Sequence, residues 1–179
     1  MSLFLITLLN GIGVAILGAL FLTNPLGWQQ SIQAFPRNRI ATVVLMAAGA
    51  GWFLYHVTQF GEADYGNYKN ILFGVFLAVA LLSFYWTPDF LAVRGLTILM
   101  LLLAKENLDA AFMRWELPQR LVFVTFTYIM ITLAMYLAVS PFRVRDFLEW
   151  GYKEKGRIQF FGACLLGSGL ALVGVALTY

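Results

Sequence analysis

The sequence predicts an all-α integral membrane protein. Six transmembrane helices, arranged as three hairpins, form a single transmembrane domain over residues 1–179. Three observations carry this reading. The 179 residues are 61% hydrophobic and only 12% charged, with a mean hydropathy of +0.79. A soluble domain is nearer half apolar and one-quarter charged. The charges gather between long apolar runs, and a bilayer core takes roughly 20 helical residues. Finally, three of these runs end in a small polar residue followed by proline, at Asn24-Pro25, Thr87-Pro88 and Ser140-Pro141. An arginine then opens the next run, at Arg39, Arg94 and Arg157.

The spans are placed at 2–23, 40–60, 68–86, 89–110, 119–139 and 158–178. The first opens on Met1-Ser2-Leu3 with no lysine or arginine before it. It reads as a retained span, because a secretory signal peptide carries a basic n-region. The second carries His56 near its outer end. The third and fourth are short as uninterrupted runs. They reach span length with Tyr68 and Asn70 at one interface and Lys105 to Asp109 at the other. The fifth is bulky, with Phe123, Phe126, Tyr128 and Met135, as is the third, with Phe73, Phe76 and Phe84.

Small residues recur four apart in three spans. These are Gly11, Ala15 and Ala19 beside Gly18, then Ala47 and Gly51, then Ala163, Gly167 and Ala171 near Gly174. Such spacing lets helices approach closely, so spans one, two and six are expected to form the tight part of the bundle.

At each turn, Asn, Thr or Ser suits a helix N-cap, and the proline suits the first helical position, where a missing N–H costs nothing. The first and third turns are long enough for short interfacial helices. In the first, Trp28, Ile32 and Phe35 share a face. In the third, Val144, Phe147 and Leu148 lie opposite Arg143, Asp146, Glu149 and Lys153. Helices of this kind lie in the interface plane. The same faces, with Trp150, are candidates for docking a partner; the alternative is that they only shield the ends of their own bundle.

The charge distribution predicts orientation. Arg37, Arg39, Arg94, Arg143, Arg145, Lys153, Lys155 and Arg157 fall on one side of the six-span map; Lys69, Lys105, Arg114 and Arg120 fall on the other. By the positive-inside rule the first side is cytoplasmic and both termini are outside. The tryptophans suit two interfacial belts, with Trp28, Trp86 and Trp150 near the inner face and Trp52 and Trp115 near the outer. The stretch from Asn24-Pro25 to Phe35-Pro36-Arg37-Asn38-Arg39-Ile40 resembles turns of small bacterial membrane proteins. The resemblance implies a bacterial plasma (inner) membrane, with a periplasmic outside, and no particular activity.

Few residues can carry chemistry. His56 is the only histidine and Cys164 the only cysteine. They cannot build an ordinary Cys/His metal cluster, and no metal ligands or catalytic residues are assigned. An imidazole at His56 is a candidate ligand for haem iron or a chlorophyll-type magnesium. The alternative is an interfacial histidine bonded to a neighbour. Lys105, Glu106 and Asp109 form a second group that, with Glu62, Asp64 and Lys69, can make an outer polar rim around His56. Arg94 stands a little over one turn into the fourth span, and Asn10 is an isolated polar group in the first.

The motifs of phosphate binding, zinc proteolysis and serine hydrolysis are absent, which leans away from an enzyme. A net charge of +3, localised in loops, gives no footprint for nucleic acid. The reading that remains is a non-catalytic accessory or scaffold subunit of a larger membrane complex, with other membrane subunits or further copies as partners. Its alternatives are a small oligomeric transporter or channel using the polar rim and Arg94, and a haem- or pigment-binding subunit using His56.

Overall fold

A computed structural model describes residues 2–23, 27, 29–61, 65–86 and 89–179. The described residues are helical, with no strand. Six long helices are α1 (Leu3–Thr23), α3 (Arg39–Thr58), α4 (Lys69–Trp86), α5 (Leu91–Ala111), α6 (Arg120–Val139) and α8 (Lys155–Ala176). Two short ones, α2 (Gln29–Ala34) and α7 (Phe142–Tyr152), occupy the first and last of the long loops. Of the proline turns, Asn24-Pro25 and Thr87-Pro88, like Trp28, Glu62 and Asp64, lie outside the described residues.

The two ends of the chain meet through glycine. Gly11 of α1 faces Gly169 and Val173 of α8, and Gly18 faces Gly162 and Leu166. The contacts descend one helix as they climb the other, so α1 and α8 run antiparallel. A Cβ added at Gly162 would stand 2.8 Å from the Leu22 backbone nitrogen, and one at Gly11 2.9 Å from that of Val173. No side chain fits there without separating the backbones. The glycines in contact are seven apart on each helix. The expected i, i+4 pattern picked Gly167 and Gly174 on α8 and Gly51 on α3. All three face open space. Small size marks a helix that is able to approach another, but the seam is set by which face meets the partner.

A second close approach joins α3 to α5. Gly95 faces Leu45 and Met46, and Gly49 faces Ile98. These pairs advance together along both helices, so α3 and α5 are parallel. Helix α6 returns antiparallel along α5, with Arg120 Nη1 donating to the Ala111 carbonyl at 2.6 Å and Asn107 lying beside Thr127 further on. One end of α1, α5, α6 and α8 closes over a cluster of Leu3, Ile6, Ala111, Phe123 and Leu172. Helix α4 has one substantial neighbour, α3. Phe76 packs edge-on to Phe53 at 4.9 Å between ring centres.

This packing corrects the expected hairpins. Helices joined by the proline turns are not the packing units: α1 pairs with α8 rather than α3, and α5 pairs with α3 and α6 rather than α4. A turn fixes direction, but interface shape fixes the neighbour.

The helix starts also differ from expectation. The cap of α3 is Asn38, whose Oδ1 accepts the N–H groups of Ile40 at 2.8 Å and Ala41 at 3.2 Å. Ser140 ends α6 and makes no side-chain cap; its carbonyl accepts the Arg143 N–H at 3.1 Å. Helix α5 begins at Leu91, after Phe90, which takes the left-handed conformation (φ 57°) beneath the Arg37 guanidinium.

Five helices are long and apolar enough to cross a membrane: α1, α3, Gly66–Trp86 (which includes α4), α6 and α8. The expected fourth span, α5, does not qualify by itself because it carries Arg94, Lys105, Glu106 and Asp109. Yet α5 is the most enclosed helix, with Leu91, Ala92, Val93, Gly95, Thr97, Ala104, Asn107 and Ala111 all buried. Its neighbours cover its uncharged face, while Lys105 and Asp109 stay open near its end.

Candidate functional site

The polar residues of α5 meet the histidine of α3 because the two helices are parallel and in register. His56 Nε2 stands 3.5 Å from Glu106 Oε1. This is too poorly aligned to count as a hydrogen bond, and it becomes an ion pair when the imidazole carries a proton. The Glu106 carboxylate also lies 3.7 Å from Lys105 Nζ, which in turn holds Asp109 at 2.7 Å. The four side chains form a row: imidazole, carboxylate, ammonium, carboxylate. Both His56 and Glu106 are about one-quarter exposed, whereas Lys105 and Asp109 are open. The Trp52 ring stacks on the imidazole with centres 6.4 Å apart.

The sequence set Lys105, Glu106 and Asp109, with Glu62, Asp64 and Lys69, as a rim around His56; the fold brings the first three into one row with it, while Glu62 and Asp64 lie outside the described residues. The fold leaves Arg94 out. That residue sits in the first turn of α5, about 18 Å from Glu106 by helical rise. Its Nε is buried without a hydrogen-bond partner among the described residues.

A metal at His56 fits poorly. An iron or magnesium on Nε2 would have to displace the Glu106 carboxylate, and no second histidine exists in the chain. Among the described residues no group of three or more His, Cys, Asp or Glu is placed to hold a metal ion.

Beside this row lies a polar contact that sequence reasoning did not assemble. Asn10 Nδ2 donates to Asn107 Oδ1 at 3.0 Å and to the Ile6 carbonyl at 2.8 Å. Asn107 Nδ2 reaches Asn10 Oδ1 and Thr127 Oγ1, each at 3.4 Å. Thr127 Oγ1 donates back to the Phe123 carbonyl at 2.9 Å. Asn107 and Thr127 are fully buried. The network ties α1, α5 and α6 at one depth. The signal was present in Asn10 and Asn107, but nothing in a linear sequence pairs residues so far apart.

The docking residues divide. Leu148 is buried with Tyr152 and Ile158, and Ile32, Val144 and Phe21 pack on the same cluster. So the apolar faces of α2 and α7 close over their own bundle, correcting the expectation that Leu148 and Ile32 face a partner. Phe35 is half-buried. Phe147 and Trp150 stay outside. They separate two open grooves. The larger, about 490 Å³, is lined by Phe147, Trp150, Glu154, Arg157, Phe161 and Cys164, among others. The smaller, about 350 Å³, lies between Tyr136, Arg143, Asp146 and the same two aromatics.

With the fold and these sites described, comparison supplies no relative: no family model, no curated protein and no solved structure matches the chain. The class of protein defined is a helical membrane protein with five helices apolar enough to span.

Proposed function

We propose that the chain crosses the membrane six times and serves as a non-catalytic accessory or scaffold subunit of a larger membrane assembly. The sixth crossing is α5, carried through the bilayer inside the bundle. The helix directions support it: α1 opposes α8 and α5, α3 parallels α5, and α6 opposes α5, as strict alternation requires. Charged groups within a span are tolerated where they face protein and pair with one another. The charge bias favours both termini outside, with α2 and α7 at the cytoplasmic surface, and the resemblance of the first turn favours a bacterial plasma membrane, with the periplasm as the outside.

The observation that carries the subunit reading is α4. None of its residues is buried, and among the described residues its one substantial neighbour is α3. A span held along one edge leaves the rest of its surface free for a neighbouring protein to pack on, and packing is what associates helices in lipid. Photo-crosslinking from the outer face of α4 in intact membranes tests this, with a discrete protein adduct expected.

A second reading, a small oligomeric transporter or channel, draws on the His56–Glu106 contact, because part-buried ionisable pairs often mark ion paths. Flux into liposomes, with Glu106→Gln as the variant, tests it.

A further inference from the structure

We propose that the two grooves flanking Phe147 and Trp150 form a binding site for an anionic phospholipid. This rests on the six-span reading, which sets α7 at the membrane surface, and is independent of the subunit role.

The larger groove has a charged mouth and an apolar floor. At the mouth, Arg157 holds its guanidinium 5.0 Å above the Trp150 ring and pairs with Glu154 at 2.9 Å. Glu154 is largely exposed, and exposed pairs of this kind are weak, so a phosphate can take its place. Below the mouth, Phe161 packs edge-on to Phe147 at 4.9 Å. The groove then descends α8 past Phe160 to Cys164, about 10 Å below Arg157 by helical rise. That wall is apolar and faces outward along a span, so it accepts an acyl chain and offers little to a water-soluble anion.

The smaller groove lies against the same two aromatics, with Tyr136 of α6 beside it. Its cation is Arg143, which has no carboxylate partner among the described residues. The one acid in that groove, Asp146, is neutralised by Arg145 at 2.8 Å. One diacyl lipid can therefore straddle Phe147 and Trp150, with a chain in each groove and its phosphate between Arg143 and Arg157. Arginine suits such a phosphate because its planar fork donates twice.

Native mass spectrometry of the delipidated protein, titrated with phosphatidylglycerol or phosphatidylcholine, tests this. The wild type is expected to prefer phosphatidylglycerol. Each of Arg143→Gln and Arg157→Gln should lower that preference about fivefold, the worth of one basic residue near an anionic surface. Arg157→Lys should retain part of it, and Arg114→Gln, on the opposite side of the six-span map and away from both grooves, should leave it unchanged. Equal binding of the two lipids by the wild type, or an unchanged preference in the double glutamine variant, would overturn the proposal. Membrane sidedness is read separately, from cysteines at Asp89 and Glu116, exposed on either side of α5, in a Cys164→Ser background. If they label from opposite sides while lipid preference is absent, the lipid site fails and the six-span reading stands. If they label from the same side, the reading beneath it fails.

Discussion

His56 of α3 and Glu106 of α5 face each other 3.5 Å apart, at the end of the bundle where the parallel pair of helices emerges. The contact follows from the glycine register beneath it, where Gly49 and Gly95 bring the two backbones together. An exposed ion pair contributes about 0.2–1 kcal/mol. Glu106→Gln should therefore lower thermal stability in detergent only slightly, and the difference should shrink at high salt. If the pair belongs to an ion path, the same variant will alter flux into liposomes while stability holds. Unchanged flux for every common ion would remove that reading.

The glycine seam between α1 and α8 predicts a contrast. Gly18→Ala places a methyl against the Leu166 backbone and should cost on the order of 1–3 kcal/mol, the usual toll of overpacking. Gly167→Ala meets nothing within 4 Å and should be neutral or slightly stabilising, since alanine is the better helix former. Denaturation midpoints in a mixed-micelle titration decide it. Equal effects at both positions would mean that the seam lies elsewhere.

The asparagine network predicts a loss of another kind. Asn107→Leu leaves Asn10 Oδ1 and Nδ2 without their cross-helix partner. Hydrogen bonds between membrane helices average about 0.6 kcal/mol and reach roughly 1.7 kcal/mol, so a loss near 1 kcal/mol is expected for this bidentate pair. The double variant Asn10→Leu/Asn107→Leu should recover part of it, because no polar group is then stranded.

Tyr152 predicts a pH dependence. Its side chain is buried under α8, its hydroxyl has no partner among the described residues, and burial raises its pKa above the ordinary value. The fold favours the neutral phenol. Its contribution is therefore fully present below about pH 10, the unfolded value, and is lost as pH rises through the higher folded value. Tyr152→Phe should remove this alkaline loss and leave neutral-pH stability unchanged or improved. An identical alkaline profile in both proteins would contradict the assignment.

Much of this fold was legible in sequence, for reasons particular residues show. Long apolar runs must be helices in lipid, because only internal hydrogen bonding satisfies the backbone there. That located the six long helices to within a few residues. Arg39 and Arg157 mark helix starts because they sit where apolar character begins. Pairing was not legible. The spacing of Gly11, Ala15 and Ala19 allows several seams, and only the opposite helix selects the one through Gly11 and Gly18. Within the site, His56 and Glu106 were both visible as polar residues at one depth. The partnership of Asn10 with Asn107 depends on α1 lying against α5, which no local pattern encodes. Leu148 was open to two readings because an amphipathic face has the same period whether it meets a partner or its own bundle.

The account turns on α4, whose described residues leave every apolar side chain at least partly uncovered. The most direct measurement places a photoreactive residue at Val79, on the exposed surface of α4, and irradiates intact cells. The same residue at Gly13 of α1, which faces open space, serves as the comparison. The account predicts a discrete protein adduct of one mass from Val79. Lipid adducts alone from Val79, together with a monodisperse single chain in native mass spectrometry from mild detergent, would contradict it.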